Sequence, residues 1–67
     1  MSPDNEALIE SALRISALAA AYSEAVKKHL FHGHKWDDQD AYYIMRNMES
    51  AVKDARRAIA NKEKHDA

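Results

Sequence analysis

One glycine and one proline punctuate this chain, and their positions leave little choice of architecture. Pro3 stands where a helix can begin, because a first-turn residue needs no N–H partner and proline has its φ already set. Gly33 lies in the single break, Phe31, His32, Gly33, His34, Lys35 and Trp36, which also holds the only tryptophan. The stretches on either side are rich in alanine and free of helix breakers. The expected fold is therefore all-α, a two-helix antiparallel hairpin forming one domain over residues 1–67. Its helices should run over about 3–31 and 38–62, joined by a turn at 32–37, with a charged tail at 63–67 that frays.

Local signals agree with these bounds. Ser2 can cap, and Asp4 and Glu6 suit the positive end of a helix. Lys27, Lys28 and His29 lie near the negative end, and Gly33 is a natural left-handed terminator. Asp37 or Asp38 can cap the second helix, with Trp36 placed to staple onto Ala41. Leu8, Ala12, Ile15, Leu18, Ala19, Tyr22, Ala25 and Val26 recur at helical steps and form the main stripe of helix 1. Ile44, Met45, Met48, Ala51, Val52, Ala55, Ala58 and Ile59 form the stripe of helix 2. Arg46, Lys53, Arg56 and Arg57 lie on its other side.

Sixty-seven residues without cysteine make a marginal domain with no disulfide or thiolate-metal staple. Much of the 46% hydrophobic content is alanine, which buries little area. Helix 1 also carries a second apolar line, Ile9, Leu13, Ala17 and Ala20, about a third of a turn from the first. One partner helix cannot cover both. The hairpin is thus expected to complete its core by association, either as a homodimeric four-helix bundle or against another helical protein. The expected interface comprises Ile9, Leu13, Ala17, Ala20, Tyr42, Met45, Met48, Val52, Ala55 and Ile59.

Other function classes find less support. Ten basic residues against eleven acidic ones give no field to attract nucleic acid or a membrane. Residues 15–23, the longest uncharged run, are too few to span a bilayer. The acidic start, without a basic n-region, argues against a signal peptide and for a cytoplasmic protein. Ser11, Ser16, Ser23 and Ser50 have no adjacent base or nucleophile elbow, so no enzymatic activity and no cofactor are expected. His29, His32 and His34, near Asp37 and Asp38, are the only candidate metal ligands. They lack paired helical spacing and read first as polar turn residues. Tyr22, Phe31, Trp36, Tyr42 and Tyr43 gather toward the turn end, where they would plug the hairpin or form a ligand patch.

Residues 24–59 carry Ala25, Val26, Lys27, Lys28, His29 and Leu30, a polar turn, then Asp40, Ala41 and Tyr42. Met48, Glu49, Ala51, Val52, Ala55, Ala58 and Ile59 follow. This half of the chain resembles the E-type co-chaperones of type III secretion needle subunits, with a longer, histidine-rich turn and the added basic pair Arg56 and Arg57. The resemblance implies a heterodimer with a larger tetratricopeptide-like chaperone, holding a needle subunit in the cytoplasm. Tyr42, Met45, Met48, Val52, Ala55 and Ile59 would meet that partner. Asn47, Met48, Glu49, Ala51, Ala55, Ala58, Ile59 and Ala60 also resemble the hairpin domain of phage proteins that sequester cyclic-nucleotide immune signals. That alternative implies a homo-oligomeric bundle around a small ligand. Here Asp37, Asp38 and Asp40 precede the second helix, where that family carries a basic, acidic and serine segment.

Overall fold

The computed structural model describes residues 3–66, and within them the chain is two helices packed side by side. Helix α1 is Pro3–His32 and helix α2 is Asp38–Asp66. Antiparallel packing makes a rod 51 Å long, 18 Å wide and 13 Å thick. Pro3 opens α1 as expected, while Ser2, the expected cap, lies outside the described residues.

Helix α2 continues one turn beyond the expected end at residue 62, so the backbone of residues 63–66 is helical. Lys62, Glu63 and Lys64 are good helix formers, and lysines near a C-terminus meet the negative end of the dipole. Helix α1 runs one residue past its expected end, to His32.

Gly33 stops α1 with φ at +69°, in the left-handed region that costs glycine little. The reversal lets the His34 N–H donate to the Lys28 carbonyl at 3.0 Å, satisfying a carbonyl near the helix end. Nδ1 of His29 lies 2.9 Å from the carbonyl oxygen of His34. A carbonyl only accepts, so Nδ1 must carry the hydrogen. The same imidazole sits 5.4 Å from the half-buried Trp36 ring, tilted by 60°. Asp37 then caps α2. Its Oδ1 accepts from the N–H groups of Gln39 at 3.0 Å and Asp40 at 3.2 Å. Its carbonyl takes the first helical bond, from the Ala41 N–H at 3.1 Å. A cap of this kind is worth about 1 kcal/mol.

Buried and half-buried residues trace a seam of alternating three- and four-residue steps on both helices. On α1 it runs Leu8, Ser11, Ile15, Leu18, Tyr22 and Ala25; on α2, Ala41, Ile44, Met48, Ala51, Ala55, Ala58 and Lys62. This spacing is the heptad pattern that keeps two helices in register. Small residues hold its tightest points: Ala51 is 0% exposed, and Ala58 and Ser11 are each 4% exposed. The Ser11 hydroxyl donates to the Leu8 carbonyl at 2.9 Å, which lets a polar side chain sit in the seam without an unmet hydrogen bond. No large side chain is fully buried among the described residues. At ~0.8 kcal/mol per buried methylene, a seam whose enclosed residues are small and whose large side chains are only half-buried stabilises the lone hairpin modestly.

Candidate protein-binding surface

An α-helix turns about 100° per residue, so residues flanking a heptad seam fall on one side or the other of the plane holding both helices. One side is charged. Glu10 and Arg14 of α1 line a shallow groove with Asp54, Arg57 and Asn61 of α2. The groove continues toward the turn between Glu24 and Lys28 on α1 and Asp40, Tyr43 and Asn47 on α2. Arg14 crosses it to donate to Asp54 Oδ2 at 3.0 Å. Both side chains are nearly half exposed, so the pair contributes at most ~1 kcal/mol. It marks which parts of the two helices lie level.

The other side carries no charge along its middle. Helical spacing puts Leu8, Ala12, Ile15, Ala19, Tyr22 and Val26 of α1 there, facing the same way as Met45, Met48, Val52 and Ile59 of α2. Leu8, Ile15, Tyr22, Val26, Met48 and Val52 are half-buried by the hairpin itself, and Met45 and Ile59 are exposed. A groove of about 380 Å³ runs along α2 between Met45, Met48 and Val52 and the charged rim of Glu49, Lys53 and Arg56. The reason for this surface is offset. Each apolar stripe is wider than the seam it feeds, and both stripes overflow to the same side.

The ten expected interface residues divide among surfaces. Met45, Met48, Val52, Ala55 and Ile59 lie on or beside the apolar face. Tyr42 is exposed on the outer flank of α2, its ring 6.3 Å from that of Tyr43. Ile9, Leu13, Ala17 and Ala20 are exposed, Leu13 at 66%, on the side of α1 turned away from α2. That is farther round the helix than the expected third of a turn. The shift follows from Ser11: leaving it out of the apolar stripe centred that stripe too near Ala12 and Ala19, both exposed. Its signal in the sequence was its spacing, three residues from Leu8 and four from Ile15.

The turn does not assemble the other expected sites. No group of three or more metal-ligating side chains converges among the described residues, and Nδ1 of His29 is engaged by the His34 carbonyl. The aromatics do not plug the hairpin end as a group. Phe31 is 76% exposed, Tyr42 and Tyr43 face outward, and only Trp36 closes over the turn. No helix among the described residues is long and apolar enough to cross a membrane. Comparison with known proteins finds no matching family model, no similar curated protein and no similar solved structure.

Proposed function

We propose that this chain is a non-enzymatic protein-binding hairpin, and that its working surface is the uncharged face shared by α1 and α2. The observation that carries this reading is the segregation of side chains about the seam. Charged groups line one broad side, while leucine, isoleucine, methionine and valine crowd the middle of the other, inside a charged rim. At ~25 cal/mol per Å2, leaving such a face in water forfeits several kcal/mol that a partner helix surface would recover. The face is long, shallow and lacks inward-directed polar groups, which suits helices better than a small polar ligand.

The resemblance of residues 24–59 to needle-subunit co-chaperones gives this reading one specific form. A helical-repeat chaperone would then lie over Met45, Met48, Val52, Ala55 and Ile59, in the cytoplasm. Its support is that these five residues share one side of α2. The other specific form is a bundle made from copies of the chain itself, and both forms need the same face.

Site-directed photo-cross-linking in the producing cell tests the general reading. A photoreactive residue in place of Val52 is expected to give discrete protein adducts, and one in place of Arg57 on the charged side none. Absence of adducts from positions 45, 52 and 59 alike would remove the proposal. The adduct mass separates a copy of the chain from a larger partner.

A further inference from the structure

We infer that the occupant of the apolar face is a second copy of this chain, related by a two-fold axis crossing α2 at Val52 and α1 between Ile15 and Ser16. This rests on the reading of that face as a protein-binding surface and selects its partner. Three independent features of the hairpin support self-association about that axis.

The first is the spacing of side chains along each helix. A two-fold axis across a helix sets residues equidistant from it against each other, antiparallel. Met45 and Ile59, the exposed apolar residues of the face on α2, are each seven positions from Val52. Each would therefore pack against the other in the second copy. On α1, Ala12 and Ala19 are equally spaced about the midpoint between Ile15 and Ser16, as are Leu8 and Ser23. There the copies meet through alanine, which permits close approach.

The second is height. One axis can serve both helices only if its crossing points lie level in the rod. The Arg14 to Asp54 hydrogen bond, 3.0 Å long, sets residue 14 beside residue 54. Because the helices are antiparallel, moving from Arg14 to the Ile15–Ser16 midpoint corresponds to moving from Asp54 back toward Val52. The two centres coincide to within about a residue, or ~1.5 Å of helix rise.

The third is charge and size. Glu49 and Arg56 border the groove on the same edge, three positions before and four after Val52. The axis sets Glu49 of each copy one helical position from Arg56 of the other, giving two opposite-charge pairs on that rim, with the two Lys53 residues lying near each other between them. The whole side of the rod, 51 Å by 18 Å, bounds the footprint at roughly 900 Å2, room enough for the ~800 Å2 that each partner contributes to a standard interface. The product is a four-helix bundle with the charged sides outward. Leu13 stays outside this contact, while Ile9, as far from the axis as Tyr22, lies at its edge.

Charge exchange tests the arrangement. The wild-type chain is expected to be a dimer by light scattering over a concentration series. Glu49→Arg and Arg56→Glu should each weaken dimerisation at least tenfold, because each sets like charges against one another twice. An equimolar mixture of the two variants should form a 1:1 heterodimer by native mass spectrometry, since both cross-pairs are then opposite in sign. A variant that folds poorly alone does not spoil the test, because the mixture reads complementarity directly. A wild-type monomer throughout the series would overturn the inference, as would variants that dimerise like wild type with no preference for each other. If a monomeric chain still gave adducts of another mass from position 52, self-association would fall while the protein-binding reading stood.

Discussion

At the scale of single residues, Gly33 and Asp37 govern whether the chain turns once and in one place. A Cβ added at Gly33 would meet nothing within 4 Å, so a side chain is not excluded for lack of room. Only the backbone objects, at φ +69°. Gly33→Ala is therefore expected to cost about 1 kcal/mol in urea denaturation, and Gly33→Asn less, because asparagine tolerates the left-handed region better than alanine. Equal stability of all three would show that the turn does not depend on that conformation. Both residues were legible as punctuation in the sequence, since a lone glycine between two helical patterns has few other uses. The His29 ring was not. Read as a dipole-friendly or metal-binding side chain, it binds the His34 carbonyl and lies against Trp36. That role depends on how the turn brings residues 29, 34 and 36 together, which spacing alone does not specify.

At the scale of the helices, what matters is how closely α1 and α2 approach. Ala51 is fully enclosed near the middle of the seam, so a larger side chain has nowhere to go without parting the helices. Ala51→Leu is expected to destabilise the hairpin by about 1–3 kcal/mol despite adding apolar surface, measured by the urea midpoint. A neutral or stabilising outcome would mean that the seam holds slack. Periodicity revealed α2 well: Ile44, Met48, Ala51, Ala55 and Ala58 were in its apolar stripe and are in its seam. It revealed α1 less well. Hydropathy favoured Ala12 over Ser11, although close packing selects for size as well as polarity, and serine satisfies its hydroxyl on its own helix. The charged end of α2 misled in the opposite sense. Lack of an apolar stripe reads as fraying, yet Lys62, half-buried at the end of the seam, and the good helix formers Glu63 and Lys64 continue the helix.

At the scale of the whole molecule, only three residues, all small, are enclosed among the described residues, so the proposed association would add burial that the hairpin itself does not supply. If a second copy provides it, the melting temperature should rise with protein concentration, because association is linked to folding by mass action. Calorimetry over a hundredfold range of concentration reads this, and a constant melting temperature would indicate a self-sufficient monomer. Leu13→Glu, on the far side of α1, should leave the concentration dependence intact, and Val52→Glu should abolish it. The limited burial of the hairpin could be argued from sequence, because length and alanine content limit what two helices can enclose. Which side the partner takes could not, because it depends on the angle at which two overlapping stripes meet.

The division of the rod into a charged and an uncharged side also has a physical meaning for the isolated chain. A rod 51 Å long with charged groups across one broad side and only at the rim of the other is an amphiphile with a preferred way to lie. At an air–water boundary it would rest flat, Glu10, Arg14 and Arg57 immersed and Met45, Val52 and Ile59 in the air. Any process that pairs these rods face to face removes the very surface that adsorbs.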